Sequence, residues 1–224
     1  MYSGGKDSTF VVESLQNSGF EVTCLISIIS ENPDSYMLHT ANIELSKLSA
    51  MALGIPIVSG RTKGMKEEEL SEIQECIAKA RKKFPFEFLG SGAICSEYQR
   101  SRLAKIASQI GISSLTPLWG VDQEQYVRDL VQKGYHFIFT SVSAEGLNES
   151  WLGKSIDEKA VVNLVSLSRK YHFNPALEGG EGETLVLDCP LFKKSRLEIT
   201  ESTLRWDGSR GILAIKNAKL VNKY

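Results

Sequence analysis

The sequence predicts an α/β protein in which a doubly wound parallel sheet is followed by a second, smaller α+β domain. Helical and extended patterns alternate through the first half of the chain, as repeated βα units require. Residues 22–29 form a nearly continuous run of β-branched and apolar side chains, which is typical of a strand buried on both faces of a parallel sheet. After Gly120 this regular alternation of helical and extended patterns ends. We therefore predict one domain over residues 1–120 and another over residues 121–224.

Local signals support each element of the first domain. Glycines follow the first two helices, and the helix that begins at Glu67 has acid in its first turn and lysines in its last, which suits the helix dipole. The predicted order is a helix over residues 9–15 ended by Gly19, the strand 22–29, a turn over 30–35, a helix over 37–53, a strand over 57–59, a loop over 60–64, the helix from Glu67 to Lys83, a strand over 86–89, a helix over 96–110 and a strand over 114–118.

The second domain mixes helices and strands without that alternation. Asp122 is a residue type that caps helix N-termini, and residues 206–210 are a hairpin turn signal between two long extended segments. The predicted elements are a helix over 122–133, a strand over 135–142, a helix over 157–170, a strand over 184–187 and the two hairpin strands over 196–205 and 211–219.

Composition limits the classes of function. The chain has 224 residues, of which 42% are hydrophobic and 24% charged, values ordinary for globular proteins. Its formal net charge of -1 gives no overall basic field, so we expect no nucleic-acid partner. No apolar run approaches the roughly 20 residues of a membrane span, and we find no cationic-then-apolar leader. We therefore expect a cytoplasmic protein without a membrane partner.

Cysteine and histidine spacings do not predict a metal centre or a disulfide framework. The cysteines form no C-x-x-C pair, and the histidines lie in separate segments. We expect reduced, mostly buried cysteines that act as small apolar side chains. The residues concerned are Cys24, Cys76, Cys95, Cys189, His39, His136 and His172.

The stretch Ser3-Gly4-Gly5-Lys6-Asp7-Ser8 predicts a phosphate-binding loop. The glycines let successive N–H groups turn towards one anion, and Lys6 adds a compact positive charge. Ser3 and Ser8 offer hydroxyl donors, whereas Asp7 either holds Mg²⁺ or fixes the loop. The helical pattern that follows places the loop at a helix N-terminus, where the dipole favours an anion. The alternative is a flexible glycine–serine turn.

This loop resembles the SGGxDS loop of the ATP pyrophosphatases, also called PP-loop enzymes, and it lacks the spacing of a Walker A loop. The resemblance implies an adenine nucleotide alpha hydrolase-like fold. It also implies that the loop grips the β and γ phosphates of ATP as leaving pyrophosphate while the α phosphorus is attacked.

One departure from that fold concerns the residues before the loop. A buried apolar strand normally precedes it, whereas here only Met1 and Tyr2 precede Ser3. We expect a start further upstream or a trimmed chain. Without that strand, the neighbouring strands should be unpaired along their inner edges.

Four further blocks resemble the diphthine–ammonia ligase family, in the family's order and over nearly the whole chain. They are Gly92-Ala93-Ile94 with Ser96-Glu97-Tyr98-Gln99-Arg100 and Arg102, Thr116-Pro117-Leu118-Trp119-Gly120, Ser150-Trp151-Leu152-Gly153, and residues 178–188. The size and spacing resemble an archaeal member. The resemblance implies an enzyme that uses ATP and ammonium to amidate diphthine on elongation factor 2, its protein partner, and releases AMP and pyrophosphate.

Candidate residues for the nucleotide site follow from the loop and from this resemblance. We assign the phosphates to the loop residues Ser3 to Ser8, with Mg²⁺ between the phosphates and Asp7 as its candidate ligand. Nucleotides lie at the carboxyl ends of sheet strands, so Ser27 and Ile28 after the second strand and Gly92 after the fourth should border the adenosine. The candidate catalytic residues are Lys6, Asp7 and Arg100.

The arginines after the fourth strand allow two interpretations. Arg100 and Arg102 are two residues apart on a predicted helix, so they do not share a face. Either one reaches the α phosphate while the other pairs with acid, or both are ordinary surface arginines. Tyr98 belongs either to the core or to the substrate site.

The stretch Glu178-Gly179-Gly180-Glu181-Gly182-Glu183 predicts a second tight loop, because its glycines suit neither a helix nor a central strand. Diphthine carries a trimethylammonium group, which aromatic faces and carboxylates hold. We hypothesise that Glu178, Glu181 and Trp151 form such a cage or bind the incoming ammonium. The alternative is an acidic, solvated turn before a strand.

Two other functions stay open at this point. One is another PP-loop enzyme, such as a tRNA-modifying thiolase or lysidine synthase, although no cysteine pair has the spacing for sulfur transfer. The other is a module that binds ATP without turnover. The sequence identifies neither a general base nor the surface that docks elongation factor 2, and it leaves the oligomeric state open, with a homodimer as one option.

Overall fold

The computed structural model describes residues 1–31, 42–65 and 68–223. The chain forms two compact units, Met1–Gly120 and Val121–Tyr224. Most of the predicted turn over 30–35, the first part of the predicted helix over 37–53 with His39, and the predicted helix start at Glu67 lie outside the described residues. No helix within the described ranges is long and apolar enough to cross a membrane.

Helices and strands alternate through the first unit, which confirms the predicted α/β class. A 3₁₀ turn, Ile43–Leu45, leads into the second helix. The elements are α1 (Lys6–Asn17), β1 (Leu25–Ser30), α2 (Ser46–Leu53), β2 (Ile57–Thr62), α3 (Glu68–Lys83), β3 (Phe88–Gly90), α4 (Glu97–Gln109) and β4 (Ser113–Leu115).

The described strands of this unit form two parallel pairs, β1 with β2 and β3 with β4. β1 begins at Leu25 rather than residue 22, because its pairing with β2 starts at the Leu25–Ile57 level. β2 continues to Thr62, so Gly60, predicted to lie in a loop, pairs with Ile28 instead. β4 ends at Leu115, three residues before the predicted end, because Thr116 already accepts a turn hydrogen bond from Trp119 N–H.

Met1 and Tyr2 lie between the two parallel pairs. Tyr2 N–H donates to Ile26 O at 2.8 Å, and the main-chain nitrogen of Met1 donates to Gly90 O. These two residues therefore bond to β1 on one side and to the end of β3 on the other. A cavity of about 300 Å³ adjoins them, lined by α1, by residues 19–26 and by residues 86–90. No described strand fills this space.

An apolar core packs around the two strand pairs and the helices α3 and α4. It consists of Ile26, Ile28, Ile73, Cys76, Ile77, Ala80, Leu89, Leu103, Ile106, Ala107 and Ile112. All four cysteines are free, but only Cys76 and Cys189 are buried, and Cys95 is exposed. The expectation of mostly buried cysteines is therefore right for two of them and wrong for Cys95, which lies in an irregular segment before α4.

The second unit is an α+β arrangement around one antiparallel sheet. Asp122 and Asp157 cap its two helices through hydrogen bonds from Gln125 N–H and Ala160 N–H, which confirms the predicted cap at Asp122. The elements are α5 (Gln123–Gln132), β5 (His136–Val142), α6 (Glu158–Tyr171), β6 (Gly182–Asp188), β7 (Ser195–Trp206) and β8 (Gly211–Asn222), with strand order β6-β5-β8-β7.

The predicted hairpin is present and is longer than expected. Asp207 accepts hydrogen bonds from the N–H groups of Ser209 and Arg210 at 2.9 and 2.7 Å, which fixes the turn and lowers the pKa of the Asp207 carboxyl. β7 and β8 pair along their whole length, whereas β8 pairs with β5 only at Gly211 and Ile212. Beyond Ile212 the hairpin is a two-stranded ribbon.

Candidate functional site

The glycine turn at the start of the chain is folded as a loop at a helix N-terminus. Gly4 has φ of 82°, a conformation that glycine adopts without strain, and Gly5 is the N-cap of α1. A glycine N-cap offers no side-chain oxygen to the first turn of the helix. Helix N-termini without a side-chain cap leave main-chain N–H groups that attract anions.

Hydroxyl groups hold the shape of this loop. Ser8 Oγ accepts from Ser3 N–H at 3.2 Å, bonds Ser3 Oγ at the same distance and donates to Gly5 O at 3.1 Å. Thr9 Oγ1 donates to Gly5 O at 2.9 Å and shares a hydrogen bond with the hydroxyl of Tyr2. Tyr2 and Thr9 were missed by the sequence reasoning. Their position on either side of the loop is a signal that could have identified them.

Lys6 and Asp7 form an ion pair at the first turn of α1. Lys6 Nζ donates to both carboxylate oxygens of Asp7 at 2.9 and 2.8 Å. The lysine side chain is only 3% exposed and the aspartate 19%. A charge-assisted pair in such a site is well ordered, so the ammonium group is held beside the loop before any ligand arrives.

Gly92 packs directly against the Ser3–Ser8 loop. A Cβ atom at this position would lie 3.2 Å from the carbonyl carbon and Cβ of Asp7 and 3.3 Å from Ser8 N. The structure therefore brings together the loop and the segment after β3, two regions separated by more than eighty residues in the sequence.

Ser27 and Ile28 lie within β1 rather than at its end, because the strand continues to Ser30. Ser27 is 1% exposed and accepts a hydrogen bond from the Ser46 hydroxyl at 3.2 Å, and Ile28 belongs to the core. Tyr2 N–H donates to Ile26 O. Ser27 and Ile28, the next residues of β1, therefore lie beside the start of the Ser3–Ser8 loop.

The two arginines of α4 have different environments. Arg100 pairs with Glu97 at 2.9 Å, and its guanidinium carbon lies 4.2 Å from the ring centroid of Trp119. Arg102 lies over the ring of Tyr98, 3.5 Å from its centroid. Arg100 is thus the arginine that pairs with acid, and Trp119 is a partner that the sequence reasoning did not assign to it.

A metal ion could be held here only by a small number of protein ligands. Among the described residues, no group of three or more histidine, cysteine or acidic side chains converges on one point. Mg²⁺ commonly binds through one or two carboxylates together with substrate phosphates. The single carboxylate of Asp7 would act in that mode by exchanging its bonds to Lys6 Nζ, which occupies both of its oxygens.

The glutamate loop of the second unit is tied to its surroundings. Glu181 Oε1 accepts from Asn174 N–H at 3.0 Å, and its main-chain oxygen accepts from Ser143 N–H at 2.8 Å. The other carboxylate oxygen, Oε2, is buried and has no hydrogen bond within the described part of the chain. A Cβ at Gly179 would lie 2.7 Å from Glu181 Oε1, so a side chain there would displace that carboxylate, and Gly180 has φ of 88°.

The remaining candidates of this unit differ in exposure. Glu178 and Glu183 are half-buried, and Glu183 pairs with Ser141 in the β5–β6 ladder. Trp151 is 4% exposed, stacks on Phe139 with ring centroids 5.6 Å apart and has the Lys154 ammonium 5.1 Å from its centroid. The structure thus places Trp151 in the core, beside β5.

Both halves of the chain match one family. Residues 1–114 match the diphthamide synthase N-terminal domain, and residues 122–221 match the diphthamide synthase C-terminal domain. A crystal structure titled as a predicted subunit of tRNA methyltransferase from Methanocaldococcus jannaschii is 19% identical, with a TM-score of 0.43, and covers 85% of this chain and 95% of that one.

Similar proteins in other organisms are named diphthine–ammonia ligase. The one from Schizosaccharomyces pombe is 34% identical over 90% of this chain, which spans only 36% of that longer protein. The one from Danio rerio is 30% identical over 92% of this chain and 88% of its own length. The one from Homo sapiens is 30% identical over 87% and 79%, respectively. Together with the two matched domains, these similarities show that the chain belongs to the diphthamide synthase family.

Proposed function

We propose that this protein catalyses the ATP-dependent amidation of the diphthine carboxylate on elongation factor 2, with ammonium as the nitrogen source. The observation that supports it most is the loop at the N-terminus of α1, with the ion pair of the buried Lys6 and the partly exposed Asp7 in the first helical turn, in a chain whose relatives are named diphthine–ammonia ligase. A helix N-terminus with an adjacent cation suits a polyphosphate.

The proposed reaction has two steps, because a carboxylate is a poor acyl donor. In the first, a carboxylate oxygen attacks the α phosphorus of ATP, the bond to the β phosphate breaks, and pyrophosphate leaves. In the second, ammonia formed by loss of a proton from ammonium attacks the acyl carbon, the bond to AMP breaks, and the nitrogen gives up a further proton to solvent or a nearby glutamate.

The residues of the first unit have separate parts in this proposal. The loop and Lys6 bind the departing β and γ phosphates, and Gly92 allows the segment after β3 to approach them. Arg100 would reach the α phosphate by exchanging its bond to Glu97, which is an exposed pair of little energetic weight. Asp7 would hold Mg²⁺, which neutralises phosphate charge when bound.

The expected products give the direct test. The protein, incubated with ATP, ammonium and diphthine-bearing elongation factor 2, should release AMP and pyrophosphate only when the factor is present. Formation of ADP would contradict the proposal. AMP release that depends on tRNA would instead indicate another PP-loop enzyme, and ATP binding without hydrolysis under all conditions would indicate a nucleotide-binding module.

In the second unit, we propose that Glu181, with Glu178, binds a cationic group, either the trimethylammonium of diphthine or the incoming ammonium. A buried carboxylate oxygen without a donor, as at Glu181 Oε2, is suited to a cation. Because Trp151 is buried against Phe139, the two carboxylates are the more accessible part of the proposed cage.

Glu181→Gln tests this role, since it keeps the acceptor for Asn174 N–H and removes the charge. We expect the KM for elongation factor 2 or for ammonium to rise about tenfold, the effect of one charge-assisted contact, while the Kd for ATP stays unchanged. Rescue by high ammonium would identify ammonium as the ligand. Glu198→Gln, which removes an exposed pair with Lys219 on the hairpin, is the matched control. Equal losses in ATP binding and factor use would refute the assignment.

A further inference from the structure

Two buried hydroxyl groups at the end of the β3–β4 pair have no hydrogen-bond partner. Ser91 is 2% exposed, and neither its Oγ nor that of Ser114 makes a hydrogen bond within the described ranges. Buried hydroxyls are nearly always bonded to protein, water or a ligand, so an unpaired pair needs an explanation.

These two hydroxyls lie on the same face of the strand pair. Ser114 is paired with Leu89, and Ser91 follows Leu89 by two residues, with its N–H still bonded to Leu115 O at 2.9 Å. Alternation along a strand therefore puts Ser91 on the side of Leu89 and Ser114. Neighbouring strands lie about 4.8 Å apart and rise about 3.3 Å per residue, so residues offset by two on adjacent strands are about 8 Å apart, a separation that a group with two hydroxyls can bridge.

The opposite face of β3 belongs to α1 and the phosphate loop. A Cβ at Gly90 would lie 2.8 Å from Leu15 Cδ1, and one at Gly92 would lie 3.2 Å from Asp7 Cβ. Phosphates bound at the N-terminus of α1 are thus on one side of the strand end, and Ser91 is on the other. A nucleoside joined to those phosphates crosses the carboxyl edge of the strands, where ligands of such sheets lie.

We propose that Ser91, with Ser114 beside it, hydrogen-bonds the ribose hydroxyls of the nucleotide whose phosphates occupy the Ser3–Ser8 loop. This inference rests on the proposed function, because it takes that loop as the phosphate site. It assigns to Ser91 a positioning role: the sugar is fixed across the strand end, and the α phosphate is held between the sugar and the loop. Neither serine was predicted from the sequence.

Binding of ATP, 2′-deoxyATP, 3′-deoxyATP and pyrophosphate, measured by calorimetry, tests the proposal. Ser91→Ala should weaken ATP binding about fivefold, the typical effect of one hydrogen bond, and should no longer distinguish ATP from the deoxy analogue that lacks the contacted hydroxyl. Pyrophosphate binding should be unchanged, because the loop is not altered. Without nucleotide, the variant should be at least as heat-stable as the parent, since it removes an unpaired buried hydroxyl.

Ser49→Ala is the matched control. Ser49 lies on α2, is fully buried and likewise has a hydroxyl without a hydrogen bond among the described residues. Its replacement should leave all four affinities unchanged. If Ser91→Ala does not fold, the affinities of the parent protein for ATP and the two deoxy analogues still test the contact. The same affinities can then be measured for Ser114→Ala.

The possible failures are distinguishable. If the parent binds ATP and both deoxy analogues equally, or if Ser91→Ala binds ATP as the parent does, the hydroxyls hold only water and this inference is overturned while the proposed function stands. If the parent binds neither ATP nor pyrophosphate, the proposed function fails and this inference fails with it.

Discussion

Replacing Lys6 by methionine should reduce factor-dependent AMP formation by about 10²–10³-fold, the usual loss when one preorganised charge that stabilises a transition state is removed. The side chain is 3% exposed and its ammonium lies 2.8 Å from Asp7, so its position is fixed in advance. Methionine has a similar length and keeps the buried stem filled. The measurement is kcat/KM from AMP and pyrophosphate release, with folding checked by circular dichroism.

The control for Lys6 is Lys79→Met. Lys79 pairs with Glu75 on α3, but both side chains are more than 70% exposed, and exposed pairs contribute little. The kcat/KM of the Lys79→Met variant should equal that of the parent protein. A Lys6→Met protein that is folded and retains activity within about threefold, too small a change for a lost transition-state charge, would remove Lys6 from the proposed mechanism.

Gly92→Val should raise the Kd for ATP at least tenfold. A Cβ there already meets the Asp7 main chain and Ser8 N at 3.2–3.3 Å, and the branches of valine would push the phosphate loop away from β3. Overpacking of this kind costs about 1–3 kcal/mol in stability. ATP binding should fall further than stability alone explains, because the loop that is displaced is the one proposed to bind phosphate.

Gly111→Ala separates the two effects. Gly111 has φ of 69° after the end of α4, and a Cβ added there would meet no atom within 4 Å, so the substitution introduces backbone strain away from the loop. It should lower the melting temperature without changing the Kd for ATP. If Gly92→Val and Gly111→Ala lose ATP affinity equally, close packing of Gly92 on the loop is not the cause.

The glycine turn at the start of the chain and the helix after it could be predicted because both are local. A positive φ at Gly4 is a consequence of a short run of residues, whereas the helix begins at Lys6, three residues before the predicted start at Thr9. The alternation of helices and strands was likewise readable from periodicity, whereas the start of β1 was not, since it depends on where β2 begins.

The surroundings of the site depend on packing between distant segments, which the sequence does not display. From the sequence, Arg100 was a candidate for the α phosphate or for an acidic partner, and only the structure shows that it is paired with Glu97 and lies over Trp119. Trp151 looked like a cation-binding aromatic, but stacking on Phe139 buries it. Ser91 is an ordinary serine in the sequence, and only its burial without a partner makes it distinctive.

The hairpin of the second unit has a consequence for self-association. β7 is the last strand of its sheet, and an edge strand presents main-chain groups that another chain can add to. Here the ribbon carries cross-strand ion pairs, Lys216 with Glu201 and Lys219 with Glu198, each at 3.1 Å. Charged side chains along an edge discourage open-ended strand addition, so the long ribbon can remain exposed without serving as a template for aggregation.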